Sequence, residues 1–396
     1  MAGKKEVAYL LITPYALLKS RTGGIIGRAL SQAELSFAGI RMLAPDDRFV
    51  DEYIATVHKY NLPAPHKQAL TRYIDHNLRP QNRLGRANRA MLLLFEGVDA
   101  VEILRKVAGP LELWIRGDNI RGTFGDFIAY PSGEVIYLEP AVLFPEDTTW
   151  NDEHLSQLAS LMERTSCVLE NIIKYPESVT PETTLVMLKP DLFTSPSARP
   201  GNIIDMFSRT GLYIVGARII HMSVAQAMEF YGVLEKVFEK KLVRNVAVKL
   251  ASLIEGEHEK AFDFPIVPDE YQKMAKVIAD KNAHTEFAKI VEYMTGLNPD
   301  DLPDKYDPKS PGKQMCVALL YQGENAVQKI RDKLGTTDPS KAGGGTVRRD
   351  YGADLMRNGA HASDSIKSAE RERAIIGLAG NEPSPEAAII REYLKK

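Results

Sequence analysis

The chain has 396 residues, which is long enough for two or three domains that each bury a core. Its 50 basic and 52 acidic residues give a formal net charge of -2, so overall charge gives no reason to expect nucleic acid or an anionic membrane as a partner. The two cysteines form neither a disulfide framework nor a metal-ligand spacing, which is typical of a reducing cytoplasm. The first apolar run, Tyr9–Ile12, is too short to span a membrane. We therefore expect a soluble, cytoplasmic chain.

The chain repeats itself once. AYLLITPYALL at 8–18 resembles TTLVMLKPDLF at 183–193, and this alignment places Thr13 opposite Lys189. Further on, MLLLFEGVDAVEILRKVAG at 91–109 aligns without a gap with VALLYQGENAVQKIRDKLG at 317–335. Several matching blocks in the same order indicate two copies of one fold.

Each copy reads as strand, helix, strand, a helical middle, then strand, helix, a long loop and a last strand. This order predicts an α+β fold of two ferredoxin-like (split βαβ) domains, each an antiparallel sheet with helices on one face. We place the first domain at 1–175, with a connecting helix at roughly 152–173, and the second domain at 182–396. The second copy carries additional charged sequence at about 240–282, which predicts a helical insert.

The most informative stretch is RNGAHASDSIKSAERE at 357–372. A lone histidine is usually structural, and Ser365 or Asp364 simply predicts the N-cap of a helix that starts at Ile366. The functional interpretation is that His361 lies at the open end of that helix, where N–H groups and the helix dipole favour an anion.

The residues around this histidine resemble the active-site pattern of the nucleoside diphosphate kinase family, Asn-x-x-His-x-Ser-Asp-Ser followed by Ser-Ala and Glu. Other signatures of the family follow the same order along the chain from about Thr183 to the C-terminus, apart from the insert. The matching residues are Lys189-Pro190-Asp191, Phe230-Tyr231, Arg331, Leu334 to Pro339, Gly345 to Arg348, Asn358, His361, Ser363, Asp364, Ser365, Ser368-Ala369 and Glu372.

The resemblance implies a kinase that transfers the γ-phosphate of a nucleoside triphosphate to a nucleoside diphosphate by a ping-pong mechanism through phospho-His361. Glu372 would hold the imidazole tautomer and Ser363 would hold Glu372. Phosphate and ribose would be bound by cations, hydroxyls and an amide, because charge on a transferring phosphoryl group is spread over three oxygens. The implied binding residues are Lys189, Arg331, Arg348, Tyr231, Thr337 and Asn358.

The resemblance further implies Mg²⁺ bridging the nucleotide phosphates, with Asp364 reaching it through water and no dedicated protein cage. The base would stack on an aromatic ring, for which Phe287, after the insert, and Phe238, before it, are the candidates. Contacts would go to phosphate and ribose, so the nucleotide preference stays open.

The sequence departs from the family pattern beside the histidine. Gly359 and Ala360 replace two aliphatic residues, and a glycine there is expected to loosen a strand. Ala362 replaces a glycine, and would be strained if that position needs a positive φ.

The first copy lacks the reactive groups. Thr13 replaces the lysine, and alignment of GEVIYLEPAVLFPED places Tyr137 near the histidine position and Glu139 near the serine. Arg105 and Arg121 are retained, so weak anion binding stays open. We predict no phosphotransfer from this copy, which instead packs against the second as an intramolecular pseudo-dimer. A higher homo-oligomer also stays open.

Two other functions fit the same residues. One is a phosphohistidine carrier that donates to a protein, and the other is a regulatory or scaffold protein with weak nucleotide binding. Neither nucleic acid nor a membrane is expected as a partner. Transfer of phosphate from His361 to a diphosphate separates the kinase from both.

Overall fold

The structure, a computed structural model, describes residues 5–112, 117–261 and 264–396. The chain forms two compact units. The larger unit comprises Met1–Ile220 and Val317–Lys396, and the smaller comprises His221–Cys316. The repeat boundary near residue 180 therefore lies inside the larger unit.

The first copy contains six strands and seven α-helices among its described residues. The strands are β1 (Lys5–Ile12), β2 (Ser36–Leu43), β3 (Ala90–Val98), β4 (Asp126–Ala129), β5 (Val135–Glu139) and β6 (Val142–Leu143). The helices are α1 (Pro14–Leu18), α2 (Thr22–Gln32), α3 (Asp47–His58), α4 (Ala64–Leu78), α5 (Ala100–Ala108), α6 (Ile120–Phe124) and α7 (Asn151–Arg164).

The second copy has four strands and seven α-helices in its described part. The strands are β7 (Glu182–Leu188), β8 (Tyr213–Ile220), β9 (Cys316–Gly323) and β10 (Ala360–Ala362). The helices are α8 (Arg199–Ser208), α9 (Val224–Ala261), α10 (Pro268–Thr295), α11 (Ala326–Leu334), α12 (Val347–Tyr351), α13 (Ile366–Ile375) and α14 (Pro385–Leu394).

The two main sheets have the same topology. Their strand orders are β2-β3-β1-β6 and β10-β7-β9-β8, so the last strand of each copy lies beside the first. The pairs β1–β3, β1–β6, β2–β3, β7–β9 and β7–β10 are all antiparallel. The predicted fold, two ferredoxin-like domains with antiparallel sheets, is confirmed. Strands β4 and β5 form a separate hairpin that the described part of the second copy lacks.

Helices cover both faces of the first sheet, whereas the sequence predicted them on one face. Alternate residues of β1 enter two different cores: Leu10 packs with α2 and α5, and Tyr9 packs with α3, α4 and α7. The strand is consequently buried on both sides, which explains its continuous apolar sequence.

The two copies meet through equivalent elements of the larger unit. Helix α2 contacts α8, and β2 contacts β8. The α2–α8 contact is close because Gly23 and Gly201, which the repeat aligns, face each other: a Cβ on Gly23 would lie 2.4 Å from the carbonyl oxygen of Gly201. Apolar residues of both copies consequently form one continuous core, including Leu10 and Ile25 of the first copy and Ile203 and Leu319 of the second.

The connecting helix is shorter than predicted. Helix α7 ends at Arg164, where Thr165 adopts an extended conformation, instead of near residue 173. The chain then runs beside β8: Val168 forms an isolated antiparallel bridge with Gly216, and the Leu169 amide donates to the Val215 carbonyl at 2.7 Å. Backbone pairing with an available strand thus replaces the last helical turns.

The smaller unit is mainly a pair of helices, as the predicted insert required. Helices α9 and α10 pack together, and Val246, Ala247, Ala275 and Ala279 form a small core between them. Residues 262 and 263, at the end of the predicted insert helix, lie outside the described residues. Within the described residues, every helix is too short or too polar to cross a lipid bilayer.

Candidate active site

His361 is the middle residue of β10, at the edge of the second sheet, where it pairs with Met187 of β7. Its side chain is 22% exposed. Gly359 precedes the strand at φ +83°, so this glycine supports a left-handed turn and does not loosen the strand as predicted. Ala362 is extended in the strand and pairs with Val186, so the expected strain at this position is absent.

A carboxylate and a hydroxyl hold the histidine ring. Nε2 of His361 lies 2.8 Å from Oε2 of Glu372, and the Ser363 hydroxyl donates to the same oxygen at 2.7 Å. Glu372 and Ser363 are buried. Since a carboxylate accepts hydrogen bonds, this geometry places the ring hydrogen on Nε2 and directs Nδ1 to the other side of the ring.

Glu372 lies on helix α13, which follows the histidine strand β10 after a short turn. Its N-cap is Ser365, whose hydroxyl accepts from the Ser368 amide at 3.1 Å. The Ser368 hydroxyl donates to Asp364 at 2.6 Å, and this bond, with a further one from Ser365, lowers the pKa of Asp364. The charge of nearby Arg331 acts in the same direction.

Lys189 follows β7 and is tied to the loop before the histidine. Its ammonium donates to Oδ1 of Asn358 at 2.7 Å and to the Met356 carbonyl at 2.8 Å. Asn358 is buried and donates in turn to the Thr337 carbonyl at 3.0 Å. The lysine, the amide and the Thr337 loop therefore form one connected network.

Arg348 brings a second cation to the strand that carries the histidine. Its Nη1 donates to the Gly335 carbonyl at 3.0 Å, and its Nη2 to the Ala360 carbonyl at 3.4 Å. Burial and the neighbouring charge of exposed Arg331 lower the pKa of Arg348 to about 10, which still leaves it charged at neutral pH. Among the described residues, neither arginine has a carboxylate within ion-pair distance, and the buried Nε of Arg348 makes no hydrogen bond.

Eight of the predicted nucleotide-site residues and Asp364 thus belong to one unit, while two do not. Tyr231, on α9, and Phe287, on α10, belong to the smaller unit and are both buried there. Phe287 is only 2% exposed, so it presents no open ring face on which a base could stack. Phe238, the other candidate ring, also lies on α9 of that unit.

A family model described as nucleoside diphosphate kinase matches residues 182–261 and 309–377. These segments carry β7, β10, α13 and all the residues of the site in the larger unit. The second half of the chain belongs to the nucleoside diphosphate kinase family.

Solved structures of nucleoside diphosphate kinases also resemble this chain. The enzyme from Aquifex aeolicus has 22% sequence identity and a TM-score of 0.30, over 50% of this chain and 95% of the other. The one from Encephalitozoon cuniculi has 22% identity and a TM-score of 0.31, over 54% and 99%. The one from Pyrobaculum aerophilum has 26% identity and a TM-score of 0.33, over 50% and 95%.

Strand register corrects the alignment of the first copy with the second. Ile12 pairs with Val142 and Leu11 with Leu143, as Leu188 pairs with Ala360 and Met187 with His361. Leu143 therefore occupies the histidine position, and the predictions of Tyr137 there and of Glu139 at the serine position were wrong. The β4–β5 hairpin explains the error, because Arg121 contacts the strand 21 residues later whereas Arg348 contacts it 12 residues later.

The retained arginines of the first copy are paired with acids. Arg121 donates to the Gly109 and Val142 carbonyls, as Arg348 does to their counterparts, but it also forms an ion pair with Glu146 and is buried. Arg105 pairs with Glu102 at 2.7 Å. Glu146 stands at the position of Asp364, so a carboxylate neutralises the cation in the first copy, whereas Arg348 has no such partner among the described residues.

Two positioning contacts in the second copy were not predicted from the sequence. Ser368 holds Asp364, and the Arg371 guanidinium lies 3.3 Å from Oε1 of Glu372. The helical spacing of Ser368 and Glu372 from the predicted N-cap was a usable signal for the first, since residues three and four apart share a helix face. Arg371 is adjacent in sequence to Glu372, and periodicity does not place adjacent residues together.

Proposed function

We propose that the second half of the chain is a nucleoside diphosphate kinase that carries phosphate on His361. The observation that supports this most is the combination of a histidine held through Nε2 by a buried Glu372 with a partly buried Arg348 that lacks a carboxylate partner. A structural histidine needs no such cation, and a phosphoryl acceptor does.

In the proposed first step, Nδ1 of His361 attacks the γ-phosphorus of a nucleoside triphosphate. The P–N bond forms, the bond to the bridging oxygen breaks, and the nucleoside diphosphate leaves with that electron pair. The hydrogen stays on Nε2 and is donated to Glu372, whose charge offsets the positive ring. A second diphosphate reverses the step. Lys189, Arg331 and Arg348 would bind the phosphate oxygens, and Asn358 and Thr337 would position the nucleotide.

The proposed metal is Mg²⁺ carried by the nucleotide, where it would neutralise phosphate charge. Among the described residues no group of three or more histidine, cysteine, aspartate or glutamate side chains forms a metal cage. Asp364 is the acidic side chain that fits an outer position, because Ser368 and Ser365 keep its pKa low and Arg331 is near. One carboxylate with water as intermediary suits a hard, strongly hydrated cation.

The first copy is proposed as a built-in dimer partner. The α2–α8 contact between aligned glycines and the core shared by both copies support this, since equivalent surfaces meet as in a two-fold dimer. With Leu143 at the histidine position and Arg121 paired to Glu146, this copy would stabilise the other without transferring phosphate.

The test is phosphate transfer through His361. Incubate the full chain with γ-³²P-labelled ATP and Mg²⁺, remove free nucleotide, and then add GDP. We expect acid-labile label on the protein that moves to GDP within seconds to minutes. His361→Ala should lose the label, and His58→Ala, at an exposed helix end, should keep it.

Each result has one meaning for the proposal. Label that forms but passes to no diphosphate contradicts the kinase and favours a phosphohistidine carrier. A protein that takes no label at all would contradict both the kinase and the phosphohistidine carrier. Label retained in His361→Ala would place the acceptor elsewhere.

A further inference from the structure

A polar cavity lies in the larger unit, between elements of the two copies. It has a volume of about 300 Å³, and none of the candidate active-site residues lines it. We call it the seam cavity. Its polar side chains include Arg86, Arg89, Tyr213, Tyr321, Thr22 and Ser208, and its apolar ones include Leu17 and Ile204.

Two arginines without an acidic partner contribute to this cavity. Arg89 is only 7% exposed, and its Nη1 donates to the Ile214 carbonyl at 2.9 Å. Arg86 is exposed and donates to the Tyr213 hydroxyl at 3.1 Å. Both guanidinium groups lie over the Tyr213 ring, 5.2 Å and 5.8 Å from its centroid. In the described part of the chain, no carboxylate lies within ion-pair distance of either one.

The two arginines repel each other, because both are positively charged. Burial, together with the charge of Arg86, lowers the pKa of Arg89 to about 10. The guanidinium is still charged at neutral pH, so a buried cation and a like charge share one aromatic ring. Such an arrangement is costly unless an anion compensates it.

The second copy contributes Tyr321 to the lining of the same cavity. Tyr321, on β9, is 1% exposed, and within the described residues its hydroxyl makes no hydrogen bond. The aligned residue of the first copy is Phe95, which fills the equivalent core position without a hydroxyl. An apolar ring is therefore sufficient for packing, and the hydroxyl of Tyr321 needs another explanation.

A hydrogen-bonding anion in the cavity would explain both observations. A buried hydroxyl without a partner lowers stability, because no hydrogen bond compensates its removal from water. Two guanidinium groups and several hydroxyls are suited to a group with several acceptor oxygens and a double negative charge. The adjoining apolar side chains, Leu17 and Ile204, are suited to an organic body.

We propose that the seam cavity binds a small organic phosphate monoester. Arg89 and Arg86 hold its phosphate, and the Tyr321 hydroxyl donates to one of its oxygens. Residues of both copies line the cavity, so the ligand stabilises their packing. This site is separate from the proposed phosphotransfer site and does not depend on it.

The experiment is calorimetric titration of the full chain with phenyl phosphate, with benzoate and phenol as the singly charged and neutral analogues. We expect phenyl phosphate to bind most tightly and phenol not at all. Arg89→Met should weaken binding by about tenfold or more, because it removes a charge-assisted hydrogen bond. Tyr321→Phe should weaken it several-fold without lowering the melting temperature.

Two further variants localise the binding. Arg48→Ala changes an exposed arginine of α3 and should leave binding unchanged. Arg348→Gln removes a cation of the candidate active site and should also leave it unchanged. If Arg89→Met does not fold, Tyr321→Phe alone decides, since phenylalanine is the residue of the aligned position.

Several results would overturn the proposal. Equal binding by all variants would mean an adventitious anion only. Loss in Arg348→Gln but not in Arg89→Met would assign the phosphate to the candidate active site. Absence of binding at millimolar phenyl phosphate, or binding of benzoate and phenyl phosphate with equal affinity, would each contradict a phosphate site.

Discussion

At the scale of single residues, the difference between the two copies is one of charge pairing. In the second copy no carboxylate of the described residues lies within ion-pair distance of Arg348, whereas in the first copy Glu146 pairs with Arg121. A buried ion pair already has its counter-ion, so an incoming phosphate would have to displace it. Leu143 at the histidine position and the pairing of Arg121 are two independent reasons to expect no phosphotransfer from the first copy.

Glu372→Gln tests how the histidine is held. The amide keeps the shape of the carboxylate but loses its charge, so the ring tautomer and the positive phosphohistidine are both less well stabilised. We expect kcat for phosphate exchange to fall by about 10–100-fold, with little change in KM.

Glu370→Gln is the matched control for this variant. Glu370 lies on the same helix two residues earlier and is exposed, so kcat should be unchanged. Equal rates for wild type and Glu372→Gln would mean that Glu372 does not position the ring.

At the scale of elements, strand β10 positions the candidate site, and the contact between α2 and α8 holds the two copies together. Three residues of β10 are enough because β7 fixes their register and the turn at Gly359 sets their start. In the first copy the same turn is made by Ala141 at φ +59°, and the Thr13 amide donates to its carbonyl as the Lys189 amide donates to that of Gly359. The first copy therefore keeps this turn although it has Leu143 in place of the histidine.

Gly23→Ala tests the contact between α2 and α8. The new methyl group would lie 2.4 Å from a backbone oxygen and 2.5 Å from a backbone nitrogen of α8, so the helices must separate. We expect a loss of unfolding free energy of about 2 kcal/mol or more, measured by guanidinium denaturation.

Gly232→Ala makes the same substitution in α9, where nothing lies within 4 Å of the new Cβ. Alanine favours helix by about 1 kcal/mol over glycine, so this control should stabilise or be neutral. A Gly23→Ala protein as stable as wild type would show that the α2–α8 contact is looser than described.

At the scale of the whole larger unit, the C-terminal helix joins the copies. Helix α14 belongs to the second copy in sequence but packs on α7 and β2 of the first copy. Ile390 is fully buried in the core of the first copy, and Arg391 binds Glu163 at 2.9 Å. Glu386 is buried 3.7 Å from Arg41, and Gly39 leaves room for it.

Ile390→Ala tests this connection. A buried isoleucine truncated to alanine typically costs about 2–5 kcal/mol. Because the core on the other face of the first sheet contains residues of both copies, we expect the loss to appear in both. Trp150 reports the first copy by fluorescence, and hydrogen exchange of β9 reports the second.

Coincident shifts of both probes are the expected outcome, and Ile278→Ala, at an exposed position of α10, is the control. A shift of fluorescence with unchanged exchange in β9 would show that the copies unfold independently.

The sequence by itself determined the repeat, the ferredoxin-like fold of each copy and the residues of the candidate site that are close in sequence. His361, Ser363 and Glu372 meet because a strand, an N-cap and a helix follow one another within twelve residues, and such local order is readable from periodicity and capping. Lys189 was also predictable, because the family motif marks it.

The tertiary structure alone decided what depends on residues distant in sequence. Strand register places Leu143 at the histidine position. Sequence alignment did not find this match, because the β4–β5 hairpin makes the first copy nine residues longer before this strand. The ion pair of Arg121 with Glu146 and the second layer of helices on the first sheet depend on packing. The seam cavity exists only because the copies pack against each other, since neither copy's sequence shows that Arg89 and Tyr321 line the same cavity.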